Sequence, residues 1–161
     1  MTEVFVGIGS NVRPEEHVRQ AVKLMRERFG GLRLSPVYRT KAVGFEGDDF
    51  LNLVAAFDTG LAAAELNAAL DEIELRCGRQ RGAARFAPRT LDLDLLLHGE
   101  RVDPALRLPR KEILQYAFVL KPLMELAGVH RHPESGMTYK EHWARFQGDR
   151  GGLTAVELPG L

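Results

Sequence analysis

Hydrophobic residues recur at two spacings along the chain, and these spacings predict strands and helices in alternation. Short apolar or alternating runs bounded by turn residues predict strands at residues 4–8, 32–38, 51–57 and 92–97. Apolar residues three and four positions apart predict a helix that begins near Pro14 and ends before Gly30, and a second helix at about 62–76. The predicted order is therefore βαββαβ.

Prolines and glycines mark the places where this pattern is interrupted. Pro36 lies inside the second predicted strand, so that strand should lie at a sheet edge or contain a bulge. Residues 39–49 are expected to form a loop. A third helix is predicted at about 111–126, with Pro122 interrupting it, and residues 128–161 should form only short elements.

The element order predicts an α+β protein with a ferredoxin-like βαββαβ core. We expect a mixed or antiparallel sheet with helices on one face, followed by C-terminal helical and irregular segments. With 161 residues, the chain is long enough to bury a substantial core, and we expect residues 1–161 to form one domain.

Composition restricts the possible partners and the compartment. The 22 basic and 22 acidic residues balance, so bulk charge does not favour a nucleic-acid partner. The single cysteine excludes an intramolecular disulfide and agrees with a reducing compartment. No apolar run is long enough to span a membrane, and the N-terminus does not have the pattern of a signal peptide. We therefore expect a cytoplasmic protein without membrane or nucleic-acid partners.

The stretch from Arg76 to His98 contains the candidate chemistry. Strand periodicity places Asp92 and Asp94 on one face of the fourth predicted strand and leucines on the other. The preceding loop contains arginines and no acidic residue. Paired carboxylates beside guanidinium groups suit Mg²⁺ together with a polyphosphate, because the metal and the arginines both neutralise phosphate oxygens. A solvated strand edge next to a soluble loop is the simpler alternative.

Several short motifs are spread along the chain. The most specific is PRTLDLD, at residues 88–94. The other pieces are GSN at 9–11, YRT at 38–40, FLN at 50–52, GR at 78–79, LP at 108–109 and AFVLKPL at 117–123. Together they resemble the 6-hydroxymethyl-7,8-dihydropterin pyrophosphokinase family of folate biosynthesis, and the resemblance extends from about residue 4 to about residue 140.

The resemblance implies transfer of a pyrophosphoryl group from ATP to the hydroxymethyl group of a reduced pterin, with release of AMP. It implies two Mg²⁺ ions held by Asp92 and Asp94. It implies catalytic roles for both aspartates and for three arginines of the preceding loop: Arg79, Arg85 and Arg89. The implied ATP-binding residues are Glu74, Arg79, Arg81, Arg85, Arg89 and Arg110. The implied pterin-binding residues are Thr40, Val43, Phe50, Asn52 and Phe118, with the two phenylalanine rings on either side of the pterin. We expect a monomer whose partners are the two small-molecule substrates.

Two positions depart from the family's usual residues. Arg110 stands where the family commonly has a histidine, and Tyr116 where it commonly has an arginine. A paralogue acting on a related pterin is therefore an alternative. Two further alternatives are a non-catalytic nucleotide- or RNA-binding module of the same fold and a metal-dependent phosphohydrolase. His130 and His132 have the spacing of a metal pair, but no third ligand is evident from the sequence.

Overall fold

The computed structural model of the protein describes residues 1–41, 49–78 and 91–161. Within these ranges the chain forms a six-stranded sheet and five α-helices. The strands are β1 (Thr2–Ser10), β2 (Arg33–Leu34), β3 (Val37–Thr40), β4 (Phe50–Thr59), β5 (Asp92–His98) and β6 (Thr154–Val156). The helices are α1 (Pro14–Phe29), α2 (Ala63–Arg76), α3 (Glu112–Gln115), α4 (Ala117–Ala127) and α5 (Tyr139–Ala144), and a single 3₁₀ turn spans Pro104–Leu106.

The sheet order confirms the predicted ferredoxin-like α+β fold. The strands lie in the order β5-β1-β4-β3-β6, and β2 pairs with β4 as well. All pairings between the described strands are antiparallel, so the sheet is of the antiparallel kind. Strand β1 lies between β4 and β5, and β6 adds a strand from the C-terminal segment.

One face of the sheet is apolar along its length and packs against α1 and α2. The core on this side contains alternate residues of β1, β4 and β5, because successive side chains of a strand point to opposite faces. Helix α1 contributes Val18, Val22 and Met25, and α2 contributes Leu66 and Leu70, all nearly inaccessible to solvent. The helical periodicity of the sequence thus correctly identified the faces that these helices bury.

Among the described elements, α3, α4 and α5 pack on the opposite face. Our expectation of helices on a single face was therefore wrong. A second core joins Phe5, Val54 and Leu96 of the sheet to residues such as Leu120 and Leu123 of α4. The pairing of β1 with β5 shifts between Phe5 and Val6, and this bulge lets two successive leucines, Leu96 and Leu97, join the second core. These apolar side chains require a second helical layer.

Pro36 divides the second predicted strand into β2 and β3. Proline has no N–H and cannot donate to a strand ladder. The preceding Ser35 maintains the pairing with β4: its N–H donates to the Val54 carbonyl at an N···O distance of 2.9 Å, and its Oγ accepts the Val54 N–H at 2.8 Å. The sequence predicted an edge position or a bulge here. Pro36 does interrupt the strand, but β3 lies between β4 and β6 and is therefore not at the sheet edge. The Ser35 Oγ supplies an additional acceptor for β4 at this interruption.

The third predicted helix is broken at Tyr116, and not at Pro122 as we had expected. Tyr116 is extended, with φ −124° and ψ 128°, and it separates α3 from α4. Its N–H closes α3 on the Glu112 carbonyl, and its carbonyl accepts N–H groups from the first turn of α4. Pro122 lies inside α4 on its buried side. Packing of α4 on the sheet therefore outweighs the hydrogen bond that Pro122 cannot donate.

The C-terminal segment forms the short elements that the sequence indicated. Helix α5 begins at a capping box in which the Thr138 side chain accepts the Glu141 N–H. His130 contacts Glu3 through Nε2, whereas His132 is buried and its Nδ1 accepts the N–H groups of Glu134 and Ser135. The two histidines thus have different hydrogen-bond partners, and these are not the contacts of two residues that bind one metal ion. None of the described helices is long and apolar enough to cross a bilayer.

We predict that buried His132 makes the fold sensitive to acid. Burial lowers the pKa of His132, and the neighbouring His142 lowers it further. The unfolded chain therefore binds this proton more tightly than the folded protein, so the contribution of the neutral ring is complete above about pH 6.5 and is lost as the pH falls. The free energy of unfolding, measured with urea at about pH 7.5 and about pH 5.5, should fall less in His132→Asn than in the parent. Equal losses in the two proteins would contradict this role.

Candidate active site

Beyond the part that α4 covers, the second face of the sheet carries glycine and polar residues among the residues that the structure describes. Gly7 and Gly9 occupy this face on β1, and the paired positions are Val54 and Asn52 on β4, and Asp94 and Asp92 on β5. Because glycine has no side chain, neither glycine adds side-chain bulk between its partners on β4 and β5. We call Gly7, Gly9, Asn52, Asp92 and Asp94 the site floor.

The two aspartates lie as the sequence predicted. Leu93 and Leu95 point into the first core, so Asp92 and Asp94 project from the opposite face of β5. The Asp94 side chain is 51% exposed. Two like charges on one side of a strand repel each other, and this arrangement is stabilised when positive charge lies nearby.

Glu74 holds the backbone of β5 between the two aspartates. Its carboxylate Oε2 accepts the Leu93 N–H at an N···O distance of 2.7 Å, and the residue is buried. Strand β5 pairs only with β1 among the described strands, so its outer N–H groups need other acceptors. Glu74 supplies one from α2 and thereby links that helix to the acidic strand.

Arg110 places positive charge beside Asp94. Its backbone N–H donates to the Leu96 carbonyl, and its Nε donates to the Leu95 carbonyl at 3.0 Å. One guanidinium nitrogen then lies 4.0 Å from Asp94 Oδ1, with the Arg110 side chain only 14% exposed. An ion pair at this distance and with one exposed partner adds little stability, about 0–1 kcal/mol. The two backbone contacts orient the arginine towards the acidic strand.

Asn52 and Thr40 form a buried polar pair at the other side of the floor. Asn52 Nδ2 donates to Thr40 Oγ1 at 2.8 Å, and both residues are buried. This contact orients the amide, whose Oδ1 lies on the side of Gly9. A Cβ built on Gly9 would lie 3.0 Å from Asn52 Oδ1, so glycine is required for this close approach.

Phe50 and Phe118 are partly exposed and belong to neither hydrophobic core. Phe50 begins β4 and pairs with Thr40, and Phe118 lies in the first turn of α4. The pterin slot expected between the two rings remains a prediction.

Helix α4 is fixed to the sheet at the floor by Tyr38. The Tyr38 hydroxyl donates to Glu125 Oε1 of α4. Tyr38 pairs with Asn52 and therefore lies in the same row across the sheet as Asn52, Gly9 and Asp92. Burial raises the pKa of Tyr38, and the hydrogen bond with Glu125 raises it further, so the hydroxyl remains a donor.

The donor set suits a hard divalent cation. The described residues contain no group of three or more His, Cys, Asp or Glu side chains able to hold a metal. Asp92 and Asp94 are a pair, and Mg²⁺ commonly takes one or two carboxylates and completes its shell with phosphate oxygens and water.

Some predicted site residues fall outside the described ranges. They are Val43, Arg79, Arg81, Arg85 and Arg89. The structure brings together Thr40, Phe50 and Asn52 on one side, and Glu74, Asp92, Asp94 and Arg110 on the other. Phe118 lies on the helix that covers the adjoining part of this face.

Sequence reasoning missed the two glycines and the contact between Tyr38 and Glu125. Glycine at alternate positions of a β-branched run, as in Gly7 and Gly9, signals a strand with one bare face. That signal was present in the sequence. No local pattern could have paired Tyr38 with Glu125, which is 87 residues away along the chain.

The fold is α+β, and one face of its sheet carries an acidic pair near the Arg110 guanidinium group and the buried Asn52 amide. This combination indicates the class of nucleotide-dependent phosphotransferases. The profile of the 7,8-dihydro-6-hydroxymethylpterin-pyrophosphokinase family matches residues 5–128. The chain belongs to this family. It is a transferase that catalyses ATP-dependent pyrophosphoryl transfer to hydroxymethyldihydropterin in folate biosynthesis.

Similar proteins carry the name 2-amino-4-hydroxy-6-hydroxymethyldihydropteridine pyrophosphokinase. The protein of Pseudomonas aeruginosa is 43% identical over 138 residues, which cover 81% of this chain and 84% of that protein. The protein of Bacillus subtilis is 35% identical over 128 residues, 76% of each chain. The protein of Aquifex aeolicus is 31% identical over 137 residues, 83% of this chain and 85% of that protein.

We predict that Glu74→Ala destabilises the fold by leaving the Leu93 N–H without this acceptor. An unsatisfied buried donor costs about 1–3 kcal/mol. Glu72 lies on the exposed side of the same helix, so Glu72→Ala should change the free energy of unfolding by less than about 0.5 kcal/mol. Urea unfolding of both variants measures the difference, and Glu74→Gln, which retains an oxygen acceptor, should recover part of the loss. Equal stability of Glu74→Ala and Glu72→Ala would refute the role of this contact.

Proposed function

We propose that the site floor is where the pyrophosphoryl transfer takes place, with ATP and metal over β5 and the pterin over β4. The observation that carries this assignment is the row Asp92, Gly9, Asn52 across three neighbouring strands. Gly9 brings no side chain between the acidic position and the amide position, and a Cβ there would lie 3.0 Å from Asn52 Oδ1. Two substrates of different chemistry can therefore be held side by side on a rigid sheet, which favours their reaction by orientation.

On the β5 side, Asp92 and Asp94 hold the two Mg²⁺ ions in this proposal. When bound, the ions neutralise phosphate charge and polarise the phosphoryl group that is transferred. Arg110 adds positive charge at Asp94 from a fixed position, since two carbonyls of β5 hold it. The predicted phosphate ligands remain Arg79, Arg81, Arg85 and Arg89. The predicted catalytic residues among them remain Arg79, Arg85 and Arg89. Glu74 contributes by holding β5 in place.

On the β4 side, Asn52 recognises the edge of the pterin. An amide both donates and accepts hydrogen bonds, which suits a heterocycle whose rim alternates donors and acceptors. Thr40 restricts the Asn52 side chain to one orientation. The backbone around Thr40 and Val43 is expected to contribute further hydrogen bonds, and Phe50 and Phe118 to stack on the pterin faces, each aromatic pair adding about 0.5–1.5 kcal/mol beyond area burial.

No nucleophilic side chain is required by this mechanism. The pterin hydroxyl attacks the β-phosphorus of ATP and releases its proton to solvent, the bond between the α,β-bridging oxygen and that phosphorus breaks, and AMP leaves. The chain's part is to align the hydroxyl with the phosphorus and to supply positive charge where negative charge develops. We further propose that the protein works as a cytoplasmic monomer without a nucleic-acid partner.

We predict that Asp92→Asn and Asp94→Asn each lower kcat by about 100-fold or more, because an amide binds Mg²⁺ far more weakly than a carboxylate. Melting temperatures should stay within about 3 °C of the parent, since neither side chain belongs to a core. Asp58→Asn is the matched control, an exposed aspartate on β4, and should leave kcat unchanged.

The assay for these variants follows AMP formation from ATP, with and without pterin and Mg²⁺. Full activity of both aspartate variants would overturn the assignment of the metal site. ATP turnover that proceeds without pterin would favour the phosphohydrolase alternative, and ADP as the sole nucleotide product would contradict pyrophosphoryl transfer.

We predict that Gly9→Ala weakens pterin binding by displacing the Asn52 amide. The new Cβ would lie 3.0 Å from Asn52 Oδ1, closer than ordinary packing allows. Gly31→Ala, outside the site floor, is the control, because its Cβ would meet no atom within 4 Å. Calorimetric titration with pterin should give a Kd at least about 5-fold higher for Gly9→Ala than for Gly31→Ala, as expected when a hydrogen bond of about 1 kcal/mol is lost. Equal affinities would place the pterin away from Asn52.

A further inference from the structure

Among the described residues, five large hydrophobic residues are exposed, and Tyr116 is the aromatic one. It is 37% exposed and lies in the extended link between α3 and α4. Its ring stacks on that of Phe118, with ring centroids 5.1 Å apart and the ring planes at 23°. Neither ring belongs to a hydrophobic core. Core packing therefore does not account for this aromatic pair.

The backbone of Tyr116 makes the stack possible. Its extended conformation precedes the first helical residue of α4, and its carbonyl accepts the N–H groups of Val119 and Leu120. These contacts fix the start of the helix and the origin of the Tyr116 side chain. The tyrosine ring can then lie against the ring of Phe118, two residues further on. A partly exposed phenylalanine in the first turn of a helix would otherwise exchange between rotamers.

We propose that Tyr116 is a positioning residue for pterin binding, which acts by backing Phe118. An aromatic ring has two faces. Tyr116 covers one face of Phe118, so a flat heterocycle can stack only on the other face, and the ring is held in its binding orientation before the ligand arrives. Preorganisation of this kind increases affinity because less side-chain freedom is lost on binding. The inference rests on the proposed role of Phe118 in contacting the pterin.

The neutral phenol ring gives Tyr116 no means of neutralising phosphate. Arg110 carries a positive charge, and its guanidinium group is directed to Asp94 and the Leu95 carbonyl. The two residues therefore have separate effects in this proposal: Tyr116 affects the pterin, and Arg110 affects the nucleotide. This separation distinguishes a positioning role from a general disturbance of the site.

The test compares Tyr116→Ala and Tyr116→Leu, which remove the ring, with Tyr116→Phe, which keeps it. Binding of the hydroxymethyl pterin and of a non-hydrolysable ATP analogue is measured separately by calorimetry, and melting temperatures are recorded for each variant. Loss of the ring should raise the pterin Kd by about 3- to 10-fold, the effect expected for one aromatic pair, and should leave the analogue Kd within about 2-fold. Tyr116→Phe should bind as the parent does. In turnover, the KM for pterin should rise while kcat stays nearly constant.

A double-mutant cycle shows whether Tyr116 acts through Phe118. In a Phe118→Ala background, Tyr116→Ala should have no further effect on the pterin Kd. Additive effects would overturn the proposal, as would unchanged pterin affinity in both ring-removed variants or a change confined to the ATP analogue. Tighter pterin binding by Tyr116→Ala would also overturn it, because the tyrosine would then cover the ligand face. Failure of the parent protein to bind pterin would instead refute the proposed function itself.

Discussion

Antiparallel pairing of β1 with β4 and β5 is the constraint on which the rest of the structure depends. Side chains alternate between the two faces of each strand, so the register of these pairs decides which residues enter a core and which remain on the open face. In the observed register, Gly9 lies between Asp92 and Asn52. A slip by one residue would bury the aspartates and expose the leucines beside them. Exposing those leucines to water would be unfavourable, so the hydrophobic core maintains the register. The core that stabilises the fold therefore also determines where the polar groups project.

Different elements hold the polar groups in place on the two sides of the site floor. On β5, Glu74 from α2 holds the strand at its edge, while Arg110 approaches from the segment that follows the strand. On β4, Thr40 from the neighbouring strand holds Asn52, and Tyr38 holds helix α4 through Glu125. Each polar group that we assign to a substrate is thus oriented by a contact from a neighbouring element. Such support matters because small displacements of a reacting group are costly in catalysis.

Much of this arrangement could be predicted from periodicity alone. The alternation in the block at residues 91–97 placed Asp92 and Asp94 together on one face, and the helical spacing in α1 and α2 identified the faces that pack on the sheet. Two expectations failed for physical reasons. The break in the third helix fell at Tyr116 and not at Pro122, because packing of α4 outweighed local preference. The second face is covered by helices because it carries apolar side chains of β1 and β4, to which the bulge in β5 adds two successive leucines.

The sequence by itself determined the element order, the alternation of apolar and polar faces along the strands, and the functional groups available for chemistry. These properties follow from residue type and spacing. The tertiary structure decided which distant groups meet. The Asn52 amide lies against Thr40 and Gly9, the Arg110 guanidinium approaches Asp94, and the Tyr116 ring lies on Phe118. Periodicity specifies the face on which a side chain lies and carries no information about its neighbours across strands and layers. Those neighbours are set by register and by the packing of the helices.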